Sequence, residues 1–336
     1  MTSFELENEE GLRLRGLDFG ATLTSLSLPV AGMRREVLLG CSDAAYPHQQ
    51  VWLGAVAGRF ANRIGGAELV RGDDRWPLDA NQGANCLHGG REGFHRHHWQ
   101  IKEQEADRVR LVLISRAGDQ GFPGNLRVTL EYRLEHHDLV VDFSASTDEA
   151  TPVSLTSHAY FNLDGGGDIR SHSISLNADR FLPTDEQSLP LAITPVEGPF
   201  DLRAPRLIGQ EWMSHPQQRL AKGYDHAFLL NADPAPHQGN ALPDSPDQPW
   251  AARVVSGDGK LAMVVHTNQP SLQFYSGNWL AGTMDRNGQP YRDYDGFCLE
   301  AQQLPDSPNR PALGDPWLLP GERYRHQTRY RFFPSP

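Results

Sequence analysis

The chain has 336 residues, of which 38% are hydrophobic and 22% charged, a composition that suits a folded protein with a large core rather than a disordered one. The formal net charge of −11 argues against nucleic acid or an anionic membrane as a partner, because both require a concentrated cationic surface. The three cysteines, Cys41, Cys86 and Cys298, are too few for a disulfide framework and too far apart for a zinc knuckle. We expect a cytoplasmic protein, since the sequence has neither a secretory signal nor the roughly 20 apolar residues of a membrane helix.

Short strands dominate the predicted secondary structure. The chain contains 32 glycines and 25 prolines, which are spread along its length and favour many turns. Segments rich in β-branched or aromatic residues lie between these turn residues and are predicted as strands. They are 12–17, 22–28, 99–103, 109–115, 126–134, 139–146, 173–176, 251–255, 261–267, 272–275, 297–301 and 327–333.

The connections between these strands favour an antiparallel protein. The segments 126–134 and 139–146 are separated by a short polar connection and are predicted to form a hairpin. Helical periodicity is weak, and only 207–214 is predicted to form two helical turns, which disfavours a doubly wound α/β fold. Residues 233–249, with their five prolines, are predicted to form a surface loop within a single domain spanning 1–336, because similar strands flank them on both sides.

The stretch Val-Ser-Leu-Thr-Ser-His-Ala-Tyr-Phe-Asn-Leu at 153–163 alternates between polar and mostly apolar residues. This period of two predicts a half-buried strand with one polar face. That face carries Ser154, Thr156, His158, Tyr160 and Asn162. The pattern leaves two interpretations of His158 open, a structural strand histidine or an acid catalyst.

A second stretch, Gly-Arg-Phe-Ala-Asn-Arg-Ile-Gly-Gly at 58–66, contains glycines but not the pattern of a phosphate-binding loop. Arg59 and Arg63, together with Asn62, could present planar donor groups to a ligand with several oxygens. Alternatively, the arginines could pair with acidic groups on the surface.

A third stretch holds four histidines, His88, His95, His97 and His98, within 11 residues. No cysteine or carboxylate lies in a suitable ligand register and two arginines intervene, so we predict no metal site. His88 lies between Leu87 and a Gly-Gly turn, where it could point into a cleft or serve a structural role.

Three further candidates lie in the second half of the chain. Asp225 occurs in Gly-Tyr-Asp-His-Ala-Phe, and Gln273 shares one strand face with Ser271 and Tyr275. Glu300 is predicted to share a face with Cys298 and Gln302 and has apolar neighbours, so either it is hydrogen-bonded or its pKa rises toward the working range of a base. Asp225 and Glu300 could also form the carboxylate pair of a glycosidase, since the sequence does not give their separation.

Six ordered motifs together resemble the aldose 1-epimerase, or galactose mutarotase, family. They are Gly-Arg-Phe-Ala-Asn-Arg-Ile, Asn-x-Leu-His-Gly-Gly, Ser-His-x-Tyr-Phe-Asn-Leu, Gly-Tyr-Asp-His-x-Phe, Gln-Phe-Tyr-Ser-Gly-Asn and Leu-Glu-x-Gln-x-Leu-Pro-Asp-Ser-Pro-Asn. The resemblance runs from about Gly20 to the C-terminus and includes Asp-Gln-Gly-Phe-Pro-Gly-Asn at 119–125.

This resemblance implies an all-β protein, a large antiparallel β-sandwich of the galactose mutarotase type with very little helix. It implies an enzyme that interconverts the α and β anomers of free hexoses such as galactose and glucose, with Glu300 as general base and His158 as general acid. The residues implied to contact the sugar are Asn62, Arg63, His88, Asp225 and Gln273. A monosaccharide would be the only partner, with no metal or organic cofactor, and the protein would be a monomer or homodimer.

Two alternatives remain open at this stage. A hexose-6-phosphate epimerase could use the same scaffold and would need additional cationic residues at the mouth of the cleft. A non-catalytic sugar sensor would bind the sugar without turnover, and the presence of both His158 and Glu300 argues against it.

Overall fold

The computed structural model describes residues 1–231 and 250–335, so the predicted loop at 233–249 lies outside the described residues. In the described part the one α-helix is Pro216–Ala221, and no helix there is long and apolar enough to span a bilayer. The short 3-10 segments are Asp43–His48, Gly65–Ala67, Phe94–Arg96, Asp119–Gly121, Ile169–Ser171, Gly198–Phe200, Ser307–Asn309 and Pro311–Leu313.

The largest sheet has nine strands, and every neighbouring pair in it is antiparallel. In spatial order the strands are Gln100–Gln104, Arg108–Ser115, Leu126–Glu135, Asp138–Thr147, Tyr324–Pro334, Leu261–Thr267, Ala252–Val255, Ser173–Leu176 and Arg206–Leu207. The strand Tyr324–Pro334 joins the first four strands to the last four, so the C-terminal strand lies in the middle of the sheet.

Two smaller antiparallel sheets accompany it. The four-stranded sheet consists of Ser3–Glu7, Arg13–Leu17, Thr22–Val30 and Met33–Glu36. The five-stranded sheet consists, in spatial order, of Thr194–Pro195, Arg180–Leu182, Asp225–Leu229, Ser271–Tyr275 and Cys298–Gln302. Short two-stranded pairs complete the described structure: Val56–Ala57 with Thr156–Ser157, Arg63–Ile64 with Cys86–Leu87, Glu68–Arg71 with Asp74–Pro77, and Thr151–Pro152 with Trp317–Leu318.

The nine-stranded sheet packs against both smaller sheets through one contiguous apolar core. The Tyr132 ring stacks on Phe4 of the four-stranded sheet at 5.9 Å between centroids. From the same face of the nine-stranded sheet, the Tyr330 hydroxyl donates to the Leu299 carbonyl of the five-stranded sheet at 3.3 Å. Sheets that bury one face each against a common core form a sandwich. The predicted all-β antiparallel sandwich with very little helix is therefore confirmed.

The segments rich in β-branched or aromatic residues located the predicted strands well. The strands Ser173–Leu176 and Leu261–Thr267 have the predicted bounds, and the others in the prediction differ by a few residues at their ends. The predicted hairpin is also present, with only His136 and His137 between its two ten-residue strands.

The predicted helix at 207–214 is wrong. Leu207 instead pairs with Ser173 at the edge of the nine-stranded sheet. Glu211 and Met213 then adopt positive φ of 53° and 58°, which a right-handed helix cannot contain. The helix begins later, at Pro216, where the His215 side chain accepts a hydrogen bond from the Gln217 amide.

The predicted half-buried strand at 153–163 is also wrong. Only Thr156–Ser157 forms a strand there, and every residue of the stretch is buried. Its polar residues meet protein partners instead of solvent, because the stretch runs between sheets. For example, Ser154 Oγ accepts from the Gln303 amide at 3.1 Å, and the Asn162 side chain donates to the Asp295 carbonyl at 2.9 Å.

Candidate active site

Three neighbouring strands of the five-stranded sheet present one face to a cavity. Their register places Asp225, Tyr275 and Cys298 in one cross-strand row. The next row contains Ala227, Gln273 and Glu300. Cross-strand partners point to the same side of a sheet, so all six residues share a face. The predicted face of Cys298 and Glu300 is thereby confirmed, as is that of Gln273 and Tyr275.

The cavity above this face has a volume of about 280 Å³, close to the roughly 300 Å³ at which small-molecule sites begin. Its lining residues are Gln50, Val51, Trp52, Asn62, Arg63, Gln82, Leu87, His88, His158, Tyr160, Asp225, Tyr275, Trp279 and Glu300. Of the residues singled out from the sequence, Gln273 does not line the cavity. It lies behind Asp225 and donates from Nε2 to the Asp225 carboxylate at 2.7 Å.

Glu300 is buried on the floor of the cavity, with a side chain that is 3% exposed. Its Oε1 lies 3.8 Å from His158 Nε2, and its Oε2 has no hydrogen-bond partner among the described residues. Burial raises the pKa of this carboxyl well above its usual range, and the nearby charge of Asp225 adds to the effect, while Arg63 opposes it. An orphaned buried carboxylate oxygen beside a cavity is a ready acceptor for a ligand hydroxyl.

His158 is held rigidly on the opposite wall. Its amide donates to the Ala55 carbonyl at 2.9 Å, and its carbonyl accepts from the Gly54 amide at 3.0 Å. The imidazole stacks on Tyr160 at 5.0 Å and, on its other side, lies roughly parallel to Trp52 at 6.4 Å. Burial lowers the pKa of His158 to about 4.

Glu300 and His158 form a pair whose proton binding is coupled. Burial favours the uncharged form of each group taken alone, a protonated carboxyl and a neutral imidazole. An ionised Glu300 only 3.8 Å from Nε2 would, however, stabilise a proton on that nitrogen. Interacting groups of this kind titrate as a unit, so one proton can reside on either member. A proton shared in this way would lie beside the cavity, which both residues line.

His88 reaches the cavity from a loop, and its tautomer is defined by the main chain. The Asn62 amide donates to His88 Nδ1 at 3.1 Å, so a neutral imidazole carries its proton on Nε2. Burial lowers the pKa of His88 well below its usual value, and the positive charge of Arg63 acts in the same direction. His88 is therefore a neutral hydrogen-bond donor.

Arg63 supplies a charged donor to the same cavity. Its Nε donates to Gln82 Oε1 at 2.6 Å, which fixes the plane of the guanidinium. The Asn62 side chain accepts from the Arg63 amide at 2.9 Å, while Asn62 itself has a positive φ of 68°. A buried guanidinium held in this way presents several donors in a fixed plane.

Known proteins match the chain over nearly its whole length. The sequence model of the family described as Aldose 1-epimerase matches residues 2–331. The aldose 1-epimerase of Escherichia coli is 43% identical over 335 residues, which cover 97% of this chain and 94% of that protein. The galactose mutarotase of Mus musculus is 36% identical over 336 residues, covering 98% and 93% of the two chains.

The chain belongs to the aldose 1-epimerase family. It is accordingly an epimerase, and the family predicted from the motifs is confirmed. The galactose 1-epimerase structure from Lactobacillus acidophilus has a TM-score of 0.84 and 31% identity, covering 99% of this chain and 94% of that one. An aldose epimerase homologue from C. elegans shares the fold, with a TM-score of 0.89 at 24% identity and coverage of 100% and 99%.

Arg59 does not serve the cavity of this epimerase, contrary to the two-arginine interpretation of the 58–66 stretch. Its guanidinium is buried and donates to the carbonyls of Pro123 and Gly124 at 2.7 and 3.0 Å, and to Ser115 Oγ at 2.6 Å. It therefore fastens the loop that carries Arg63 to the segment 119–125. Burial lowers the pKa of Arg59 to about 10, which leaves it charged at neutral pH.

The four histidines between residues 88 and 98 have separate surroundings. His97 and His98 approach Asp119 and Asp18 at 3.6 and 3.1 Å. His95 is packed against Trp52 at 5.6 Å, and burial lowers its pKa to about 3. Only His88 of the four lies near the proposed acid and base.

In the described part, the ligand atoms of His88, His158 and Glu300 lie within 4.8 Å of one another, close enough for a metal. Metal coordination by His88 is nevertheless disfavoured, because Nδ1 already accepts from Asn62 and Nε2 holds the proton.

Several residues that line the cavity, and the neighbouring Cys298, were not singled out as site residues from the sequence. Trp52 and Trp279 lie in loops without a periodic pattern, so nothing in the sequence marked them. Gln82 belongs to a motif but precedes the matched positions. Cys298 was placed on the face of Glu300 by strand parity, and that signal could have identified it as a neighbour of the site.

Proposed function

We propose that this epimerase interconverts the α and β anomers of free hexoses such as galactose and glucose, with Glu300 as general base and His158 as general acid. The observation that carries the proposal is the convergence of these two side chains on one wall and the floor of the cavity. Their nearest atoms are 3.8 Å apart, and the second carboxylate oxygen is free for a ligand.

The chemistry requires one base and one acid. Glu300 removes the proton from the C1 hydroxyl, and the electrons of that O–H bond form the C1=O1 double bond. The C1–O5 bond breaks, and its electron pair moves to the ring oxygen, which takes the proton from His158 Nε2. Rotation about C1–C2 and the reverse proton transfers close the ring on the other face. Each acid or base contribution is typically worth about 10²- to 10⁴-fold in rate, and no metal or organic cofactor is required.

The other predicted residues would hold the sugar. Arg63 and the Nε2–H of His88 supply donors for sugar oxygens and for charge that develops on the ring oxygen. Asp225 accepts hydroxyl protons, and Gln273 orients the Asp225 carboxylate through the bond at 2.7 Å. Asn62 acts mainly by holding the tautomer of His88 through its amide. Whether Gln273 also touches the sugar stays a prediction.

The protein is proposed to act in the cytoplasm as a monomer or homodimer on a small-molecule substrate. All three cysteines are free and buried, as expected in a reducing compartment.

Polarimetry on freshly dissolved α-D-galactose and α-D-glucose tests the activity directly. We expect enzyme to accelerate the approach to the equilibrium rotation for both sugars, in proportion to its concentration. A rate equal to that of buffer for these and other aldohexoses would contradict the proposal. A sugar sensor would give that same absence of acceleration while still binding galactose by calorimetry.

A hexose-6-phosphate epimerase is disfavoured by the charges of the cavity. Asp225 and Glu300 both line it, and Arg63 is the cationic residue among the described lining residues. Lys222 lies near the rim, but its Nζ is 3.7 Å from the centroid of the Trp279 ring. Competition between galactose and glucose 6-phosphate separates the two functions, since we expect the phosphate ester to inhibit more weakly than galactose.

A further inference from the structure

His158 has a buried neighbour at each ring nitrogen, and the proposed function uses only one of them. Nε2 faces Glu300 Oε1 at 3.8 Å. Nδ1 faces the sulfur of Cys298 at 3.4 Å. Cys298 and Glu300 lie two residues apart on the same face of the strand Cys298–Gln302, so a single strand supplies the neighbours of both ring nitrogens.

The partner at Nδ1 is a neutral thiol. Cys298 is fully buried and free. Burial raises the pKa of the Cys298 thiol well above its ordinary value, and the charges of Glu300 and Asp225 act in the same direction. An uncharged thiol can serve as a weak acceptor for an N–H group or as a weak donor.

The chemistry of ring opening decides which of these roles is useful. An imidazolium that donates its Nε2 proton becomes a neutral imidazole, which must keep its remaining proton on Nδ1. The Nδ1–H group then needs an acceptor, because a buried N–H without a partner loses the hydrogen bonds that water would give it.

We propose that Cys298 is a positioning residue whose sulfur accepts the Nδ1–H of His158, so that Nε2 is reserved for the proton that is transferred. The role of Nε2 rests on the proposed function, whereas the contact at Nδ1 does not. The thiol acts through His158, and Cys298 does not itself line the cavity.

A thiol suits this position better than a carboxylate. A carboxylate at Nδ1 would stabilise the imidazolium strongly and hold the proton on His158. The neutral sulfur orients the ring with little effect on its proton affinity. The shared proton therefore stays mobile between Nε2 and Glu300.

Substitutions at Cys298 test the role by kinetics. In Cys298→Val the side chain still fills space but cannot accept a hydrogen bond, and in Cys298→Ala a small cavity is left as well. We expect kcat to fall about 5- to 30-fold in both, the effect of losing one or two kcal/mol of hydrogen bonding, with KM changed less than about 2-fold. Cys298→Ser should retain kcat within about 3-fold, because a hydroxyl also accepts from Nδ1–H.

Cys41→Ala is the matched control. Cys41 is another buried thiol, and it belongs to the same cluster of buried apolar residues as Cys298. Burial raises the pKa of the Cys41 thiol to about 11. It makes no contact with His158 among the hydrogen bonds and ring contacts of the described residues. We expect this variant to keep the wild-type kcat. Equal kcat values in the Val and control variants would overturn the proposal, and the Val variant keeps the test informative if Cys298→Ala fails to fold.

Nitrogen-15 NMR of labelled histidine measures the tautomer without any sugar turnover. The His158 signals are assigned by their loss in His158→Gln. We expect the wild-type protein to hold the proton on Nδ1, and the Val variant to show a larger fraction of the Nε2–H form. A wild-type proton on Nε2 would overturn the inference even if the protein is an active mutarotase. A proton on Nδ1 that moves in the Val variant would support the contact even if polarimetry detects no activity.

Discussion

At the scale of single residues, the same burial has opposite effects on the two groups proposed to move protons. It raises the pKa of the Glu300 carboxyl and lowers that of the His158 imidazole to about 4. Both shifts have one physical cause, the cost of placing a charge where water cannot solvate it. The pair therefore holds a single proton throughout the pH range between the two pKa values.

This shared proton predicts a bell-shaped dependence of kcat/KM on pH. As pH falls through about 4, the pair gains a second proton and the base is lost. As pH rises through the raised pKa of the Glu300 carboxyl, the pair loses its last proton and the acid is lost. Initial rates by polarimetry across the pH range, corrected for the buffer reaction, measure both limbs.

A single limb centred near 6.5, the ordinary histidine value, would show that His158 titrates independently of Glu300. In that case the coupled pair would not be the working unit. A profile that is flat across the whole range would exclude proton transfer by either group.

Much of the site could be predicted at this scale, because motif positions and strand parity carry information about individual side chains. Parity placed Glu300 with Cys298, and the register confirms it. The burial of Arg59 could not be predicted, since Arg59 and Arg63 occur in one motif and look equivalent in sequence. Their difference depends on the segment 119–125, whose carbonyls only the folded chain brings to Arg59.

At the scale of elements, the failure at 153–163 has a definite origin. Alternation of polar and apolar residues indicates that two sides of a segment have different surroundings, and a sheet facing water is the commonest case. Here the polar side meets amides and carbonyls of other segments, such as the Gln303 amide at Ser154. A sequence pattern does not distinguish a polar partner in the protein from water.

The loop that carries His88 depends on a close approach between two backbones. Gly89 has a positive φ of 84°, and a Cβ added there would lie 2.0 Å from the Gly58 carbonyl oxygen. We therefore expect Gly89→Ala to displace His88, lower the free energy of unfolding by about 2–5 kcal/mol and reduce kcat/KM. Urea denaturation and polarimetry measure the two effects.

Gly83→Ala is the control for this substitution. Gly83 also has a positive φ, 59°, but no atom lies within 4 Å of an added Cβ. Because the described residues leave this space open, its substitution should cost only the conformational strain of about 1–3 kcal/mol and leave kcat unchanged. Equal losses of stability in the two variants would indicate that the approach of Gly89 to Gly58 is not a packing constraint.

At the scale of the whole molecule, the sandwich brings distant segments together. His158 and its Cys298 neighbour are 140 residues apart in sequence, and the fold brings the Cys298 sulfur to 3.4 Å from His158 Nδ1. The fold class was predictable from the abundance of short strands. The order in which the strands of the nine-stranded sheet pair could not be predicted from the sequence. Its C-terminal strand joins two groups of strands, and the residues in contact there are far apart in the sequence.

One apolar core contains residues of all three large sheets. The proposed single domain should therefore unfold in one cooperative transition. Tryptophan fluorescence and far-ultraviolet circular dichroism, followed during urea unfolding, should give coincident curves. Two separated transitions, or curves that differ between the probes, would indicate independently folding parts.

The most direct test of the account is the mutarotation rate of Glu300→Gln, measured together with galactose binding. The amide preserves the shape of the side chain but cannot take the C1 hydroxyl proton, so we predict a loss of kcat of about 10²- to 10⁴-fold, with the dissociation constant for galactose nearly unchanged. Asp142→Asn is the matched control. It alters another carboxyl whose pKa is raised by burial, but this carboxyl lies in the nine-stranded sheet, so the variant should retain the wild-type rate. A Glu300→Gln variant that accelerates mutarotation as well as the wild-type protein would contradict the assignment of Glu300 as the base.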